Sequence, residues 1–323
     1  MPESVGAVDR NGAPGSGAIA FLGLGRMGTP MAGRLVEAGY TVDAFDPSPE
    51  ARERAAAVGC RIAADVAGAV AGAAVVITIL PDERAVEDLA RGEGGLLAAW
   101  QGDRLWIEMT SSMPAVTRAI AAEVVGRGGR FLDAPVSGGV RGAAAGTLTI
   151  MAAGGKEALD EARPILAPLS ARVVYVGERP GAGDVAKSVN NMLSAVNLTA
   201  ATEALAIAIR EGVDLRLLVD AIGTSTGASN AMKVKVGDFA LAGRYDSGFT
   251  IGQYLKDLRI ALTMAGDDDL SPALAATTRK LWENLAEEEG GAPDHTEVVP
   301  LLLRRAGLEL PHGAATPRPE SES

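Results

Sequence analysis

Residues 18–46 read AIAFLGLGRMGTPMAGRLVEAGYTVDAFD. An apolar run, AIAFL, leads into GLGRMG, where Gly23, Gly25 and Gly28 fill the three glycine places of G-x-G-x-x-G. In a chain with 40 glycines the pattern alone is weak. Its setting makes it specific. A strand precedes it, TPMAGRLVEAG follows with helical spacing and Gly39 as stop signal, and a second strand, YTVDAFD, ends in Asp46, 23 residues after Gly23. In that arrangement glycines permit a tight turn and close pyrophosphate approach, a helix N-terminus at Thr29 supplies amide donors, and the acid holds a ribose diol. Gly23, Leu24, Gly25, Arg26, Met27, Gly28 and Asp46 are therefore expected to bind a dinucleotide. A carboxylate at Asp46 accepts the ribose hydroxyls of NAD and repels the added phosphate of NADP, so NAD is the favoured cofactor and NADP the second candidate. Arg52 and Arg54 are expected as solvated positions on the next helix.

Outward from this unit, AAVVITILP, DRLWIEM, RFLDAPVS, GTLTIMAAG and ARVVYVGE read as further strands spaced by helical stretches. Strands and helices alternating at this interval imply α/β architecture with a doubly wound parallel sheet of Rossmann type. ILPDE and EMTSSMP follow two strand ends, where ligands of open parallel sheets sit. Leu80 and Pro81 are placed beside the nicotinamide and Thr110 on its ribose. After residue 183 the texture changes. DVAKSVNNMLSAVNLTAATEALAIAIREG keeps helical periodicity for nearly thirty residues, and the later segments are also helical. The expected organisation is a flexible tail over 1–17, a Rossmann domain over 18–183, an all-α domain opening on a long helix over 184–309, and a second tail over 310–323.

The 323 residues are 47% hydrophobic and 22% charged, with 30 Lys and Arg against 41 Asp and Glu and a formal charge of −11. Such an acidic chain is a poor nucleic-acid or anionic-membrane binder. One cysteine, Cys60, excludes an internal disulfide and a cysteine-rich metal site. MPESVGAVDRNGAPGSG lacks the apolar core of a signal peptide, and no continuous apolar run approaches the ~20 residues of a membrane span. A cytoplasmic setting is expected, with no metal.

Nicotinamide chemistry on an alcohol needs a group to take the hydroxyl proton as hydride leaves. His295 and His312, the two histidines, lie in the last helical segment and the tail. GAGDVAKSVNN, residues 181–191, offers a lysine instead. Gly181 and Gly183 break the preceding structure, Asp184 caps a new helix, and Lys187 falls in its first turn, where the helix dipole disfavours a second positive charge. Asn191 shares the face of Lys187, and Asn190 lies beside it. Spacing alone leaves a catalytic lysine and a snorkelling surface lysine equally open. DAPVSGG adds Ser137, Gly138 and Gly139 after a strand, where successive backbone amides can converge on a substrate carboxylate.

FLGLGRMGTPMAGRL, FLDAPVSGGVRGAAAGTLTIM, GAGDVAKSVNN and GFTIGQYLKDLRIAL resemble the four signature regions of the β-hydroxyacid dehydrogenases, over about residues 18–308. That family includes 3-hydroxyisobutyrate dehydrogenase, tartronate semialdehyde reductase and the dehydrogenase of 6-phosphogluconate. The resemblance implies an active site between the two domains, a helical domain carrying the contacts of a homodimer or homotetramer, and a small carboxylate-bearing substrate. It makes Lys187 the acid/base and Asn191 the substrate-orienting residue, with Ser137, Gly138, Gly139 and Asn190 on the substrate. Lys256 would reach the nicotinamide region, and Asp257 would cap or pair structurally. IMAAGG carries alanine where the family commonly has glycine, TSTGASNAMKVK matches no single substrate subgroup, and Arg141 either meets the substrate or is solvated. The implied reaction is NAD-dependent hydride transfer from a short β-hydroxy acid. Two other readings are an imine reductase, whose relatives carry aspartate or tyrosine at the lysine position, and a binding module that has lost catalysis.

Overall fold

The computed structural model describes residues 18–266 and 272–310, so both expected tails, except Leu310, lie outside the described residues. The chain divides into two compact units, one running through Lys187 and the other starting at Ser188.

In the first unit the strands are β1 (Ala18–Leu22), β2 (Val42–Phe45), β3 (Arg61–Ile62), β4 (Ala73–Thr78), β5 (Leu105–Glu108), β6 (Arg130–Asp133), β7 (Val136–Ser137), β8 (Leu148–Gly154) and β9 (Ser170–Gly177). The helices are α1 (Gly28–Glu37), α2 (Pro49–Ala57), α3 (Val66–Val70), α4 (Glu83–Arg91), α5 (Leu96–Ala99), α6 (Pro114–Gly126), α7 (Gly139–Ala145) and α8 (Lys156–Leu166). All strands join one sheet in the order β3-β2-β1-β4-β5-β6-β8-β7, with β9 also pairing β8. From β3 to β6 every pairing is parallel. The order reverses direction of growth at β1 and β4, which makes their carboxyl ends the place for a ligand.

Alternation along the strands builds two cores. Ile19 and Phe21 of β1, Val75 and Ile77 of β4, and Leu105 and Ile107 of β5 pack with Met31 and Leu35 of α1 and Leu159 of α8. Ala20, Leu22, Val76 and Trp106 face the other way, against Val86 of α4 and Ile120 and Val124 of α6. Period-two burial on both faces is what near-continuous apolar strands encode. Each fully buried large side chain stabilises the layer by about 1.5–3 kcal/mol.

The sheet departs from the all-parallel expectation at β8, which runs antiparallel to β6 and β7. The connection from β7 to β8 holds only the short α7 and a left-handed Gly146 at φ +67°. A parallel return needs a crossover of a dozen or more residues, so this link reverses the chain. RFLDAPVS is also two strands, interrupted at Ala134–Pro135. The edge strand β3 has no apolar signature; Arg61 and Ile62 are exposed, and Arg61 pairs both guanidinium arms with Asp43 at 2.7 Å.

The second unit is helical. The helix α9 (Ala182–Arg210) begins in the first unit and continues into the second, followed by α10 (Leu215–Gly223), a π-helix over Ala231–Phe239, α11 (Ile251–Ala265), α12 (Ala273–Glu289) and α13 (Val298–Arg305). Ala195, Leu198 and Leu205 of α9 pack with Leu258, Trp282 and Val299. The Trp282 indole N–H donates to Thr199 Oγ1 at 2.9 Å, which lets the largest side chain sit fully buried. By length and composition α9 is apolar enough to cross a membrane, with a mean hydropathy of 1.6 in its best window. Its buried positions nonetheless serve a helical core, the usual place of a helix apolar on more than one face. The π-helix begins in the last five residues of TSTGASNAMKVK and runs on to Phe239; the glycine and polar residues ahead of it carry no helical pattern.

Candidate active site

The glycine loop after β1 is built by three glycines with three different duties. A Cβ on Gly23, whose φ is +98°, would stand 2.2 Å from the Ile79 carbonyl oxygen. One on Gly28 would stand 1.9 Å from the Gly23 carbonyl oxygen. These two permit close packing of loop, β4 end and helix. A Cβ on Gly25 would meet nothing within 4 Å. Its bareness serves no internal contact and fits a backbone left open to a pyrophosphate. Arg26 is exposed beside it, Met27 packs partly against the core, and the Leu24 side chain is wholly buried, with its N–H given to Asp46 and its carbonyl accepting the Thr29 hydroxyl at 2.7 Å. The helix begins at Gly28, one residue earlier than expected, and the Thr29 amide donates to Gly25 O at 3.1 Å. Candidate phosphate donors thus move back into Gly25–Gly28.

Asp46 directly follows β2 and grips this loop. Its Oδ2 accepts the Leu24 N–H at 2.7 Å, and Oδ1 accepts the Ser48 N–H at 2.8 Å. Arg52 is not simply solvated: its Nη1 donates to the Asp46 carbonyl at 2.7 Å and the Pro47 carbonyl at 3.1 Å, with the guanidinium 6.0 Å from the Phe45 ring centre. Across the switch point, Thr110 Oγ1 accepts the Leu80 N–H at 2.9 Å, joining the loops after β4 and β5 that carry Leu80, Pro81 and Thr110.

Ser137 closes β7 and pairs with Thr149 of β8. Gly138 and Gly139 follow at φ +132° and +62°, conformations that glycine adopts freely and that turn successive amides. Arg141 is exposed.

The helix α9 starts at Ala182, so Lys187 lies in its second turn, where the dipole acts more weakly than in the first. Asp184 does not cap it. Its carboxylate accepts the Ser112 N–H at 2.9 Å and the Thr117 hydroxyl at 2.5 Å. The capping carboxylate is Asp133, at the end of β6, whose Oδ2 accepts the N–H groups of Gly183 at 2.8 Å and Asp184 at 3.3 Å. Gly183 is needed for contact rather than as a breaker, since a Cβ there would stand 2.5 Å from Met151 O and 2.6 Å from Asp133 Oδ2. Lys187 itself is buried, which sets aside the snorkelling alternative.

Glu108 joins these acids: Asp133 and Asp184 are wholly buried and Glu108 nearly so. Burial first, then the charge of Asp184, pushes the Glu108 carboxyl up to about 8. Burial likewise raises Asp133 to about 6, against the pull of the N–H groups it accepts. Among the described residues no His, Cys, Asp and Glu group is arranged to hold a metal ion.

In the second unit Asn191 is buried, and its Nδ2 donates to Asp257 Oδ2. Lys256 Nζ lies 3.7 Å from Asp257 Oδ1. Asp257 therefore pairs with both residues. Asn190 is exposed and donates to Asn191 Oδ1 at 3.0 Å, so its side chain steadies its neighbour. A buried cluster escaped the sequence reading: Lys235 of the π-helix donates to Ser194 Oγ and the Tyr254 hydroxyl, each at 2.6 Å. Its signal is a lysine between valines in AMKVKV, an apolar frame that solvated lysines seldom have.

A glycine loop gripped by an acid at the switch point, with a buried lysine on the first helix after the sheet, defines an NAD(P)-dependent oxidoreductase. The family described as the NAD binding domain of 6-phosphogluconate dehydrogenase matches residues 18–177. The one described as NAD-binding of NADP-dependent 3-hydroxyisobutyrate dehydrogenase matches 181–302. The chain belongs to the β-hydroxyacid dehydrogenase family. It is 37% identical over 290 residues to the NAD-dependent L-serine dehydrogenase of Pseudomonas aeruginosa, covering 88% of this chain and 97% of that one. Against the 2-(hydroxymethyl)glutarate dehydrogenase of Eubacterium barkeri it is 32% identical over 295 residues, covering 91% and 98%. The solved 3-hydroxyisobutyrate dehydrogenase of Mycobacterium tuberculosis with L-serine superposes with a TM-score of 0.80 at 34% identity, covering 88% of this chain and 99% of that one.

Proposed function

We propose that this enzyme oxidises a short β-hydroxy acid with NAD, and that Lys187 is its acid/base. The observation that carries the reading is the buried Lys187, one helical turn after the amides that Asp133 caps, in a unit that also holds an open glycine loop. Gly23–Gly28, Asp46, Leu80, Pro81 and Thr110 would hold the cofactor, which when bound supplies the acceptor for hydride. Ser137, Gly138 and Gly139 bind the substrate carboxylate through a hydroxyl and turned amides. Lys187 Nζ takes the hydroxyl proton as hydride leaves the carbinol carbon and returns it in the reverse reduction. Asn191, its amide oriented by Asp257, fixes the substrate hydroxyl. Lys256 would reach the nicotinamide region, as the family resemblance implies.

Lys187 and Asp46 favour this reading over an imine reductase, which the aspartate or tyrosine of those enzymes would have suggested, and over a binding module, which needs no buried lysine. Self-association through the helical unit draws support from Val189, Leu193 and Ile207, apolar and exposed along α9. Such a stripe suits a homodimer or homotetramer. A reduced cytoplasm suits a chain whose one cysteine, Cys60, is buried and free.

The test is cofactor reduction by purified protein, with NAD and NADP in parallel, against 3-hydroxyisobutyrate, glycerate, L-serine, threonate and 4-hydroxybutyrate. NAD reduction with one of them, lost in Lys187→Ala while NAD still binds, is the expected result. Turnover that survives in Lys187→Ala removes the lysine from its role. Reduction of cyclic imines in place of hydroxy acid oxidation would shift the reading to an imine reductase.

A further inference from the structure

The start of α9 is held from outside itself. The link from β9, Glu178–Gly181, brings no short polar side chain that would cap the helix in the usual way. The acceptor comes instead from Asp133, fifty residues earlier, at the end of β6. Its Oδ2 takes two amides of the first turn, and a Cβ on Gly183 would occupy the space this approach requires. Asp184, inside the same turn, reaches out to the Ser112 amide and the Thr117 hydroxyl in the segment after β5. Two buried carboxylates thus bolt one helical turn to two neighbouring strand ends.

We infer that Asp133 and Asp184 are positioning residues for Lys187. The strand end that carries Asp133 continues through β7 into Ser137–Gly139, the carboxylate-binding turn. The segment pinned by Asp184 follows directly from Thr110, on the cofactor side. Lys187 lies four residues past Gly183 and three past Asp184, on their face of the helix, so any slip of that turn carries the lysine with it. A serine or asparagine in the link would cap the helix without burying two charges. What the carboxylate pair adds is register: it fixes the lysine against the substrate turn and the cofactor loop together. The inference rests on Lys187 being the acid/base.

Asp133→Ala, Asp133→Asn and Thr117→Val test it, with kcat, KM, NAD affinity by calorimetry, and amide hydrogen exchange by mass spectrometry. Asp133→Ala is expected to lower kcat by about 100-fold, the scale of a misplaced catalytic group, with KM and NAD affinity little changed. Exchange should quicken in residues 183–187 and stay unchanged in α1. Asp133→Asn, which keeps an acceptor oxygen, should restore most of kcat, and Thr117→Val should give a smaller fall. Wild-type kcat in Asp133→Ala despite faster exchange would overturn the inference, as would equal loss of NAD affinity. Should the alanine protein fail to fold, wild-type kcat and exchange in Thr117→Val would overturn it. Surviving turnover in Lys187→Ala is a separate failure, of the proposed function itself, and leaves the exchange comparison readable.

Discussion

Asp46 Oδ2 accepts the Leu24 N–H at 2.7 Å, so the acid proposed to read the ribose also holds the glycine loop in shape. Arg52 lies against the Asp46 carbonyl on the same turn. Replacing Asp46 removes a repelling charge and leaves this guanidinium as a ready partner for a phosphate. Asp46→Ala should weaken NAD binding by roughly tenfold or more, as expected for loss of a charged hydrogen bond, and shift preference toward NADP. Asp46→Ala with Arg52→Ala should lose the NADP gain. Parallel titrations with both cofactors check this, and an unchanged NAD to NADP ratio would mean that Asp46 does not read the ribose.

Gly25 and Gly28 separate binding from folding. Alanine at Gly28 drives a methyl into the Gly23 carbonyl at 1.9 Å and should destabilise by about 1–3 kcal/mol or more. Alanine at Gly25 meets no protein atom, so its melting temperature should match wild type while NAD affinity falls. Thermal melts with and without NAD distinguish the two. A Gly25→Ala protein that NAD still stabilises fully would place the pyrophosphate elsewhere.

The sheet was legible because its strands are apolar runs spaced by amphipathic helices, and GLGRMG with Asp46 marked the switch point. Helix periodicity placed Lys187 near the start of α9 but left its burial open, and only the resemblance gave it a role. What escaped was anything set by distant contact. Asp184 looks like a cap from its place before an apolar helix, but the actual cap, Asp133, comes from another strand fifty residues away. The antiparallel β8 escaped because direction depends on the short reach of α7 rather than on strand composition. Lys235 escaped because the glycine and polar run ahead of it hid the valine frame on which the π-helix buries it.

Lys235 makes a measurable electrostatic claim. Burial, and then the charge of Lys235, lowers His295 to about 4. Lys235→Met removes the charge and keeps much of the volume, while Ser194 Oγ and the Tyr254 hydroxyl remain paired at 3.0 Å. His295 should then titrate at higher pH, though still below an exposed histidine. With only two histidines in the chain, NMR of the ring protons resolves the change. An unmoved titration would show that Lys235 bears no charge in the folded protein.

The buried acids set the pH dependence of stability. Glu108 titrates near 8 when folded against a usual 4.5, and Asp133 near 6 against 3.8. Both shifts favour the protonated form in the folded state. Their contribution is fully present below about pH 4 and is lost as pH rises through 6 for Asp133 and through 8 for Glu108. Among the described residues Glu108 Oε2 has no hydrogen-bond partner, which agrees with a neutral carboxyl at that position. Between pH 5 and 8 wild type should therefore lose stability, on the order of a few kcal/mol. Glu108→Gln keeps the shape without the ionisation and should flatten that decline, ending more stable than wild type at pH 8. Urea denaturation at several pH values across this range measures both slopes. Parallel profiles for the two proteins would mean that Glu108 ionises normally in its buried site.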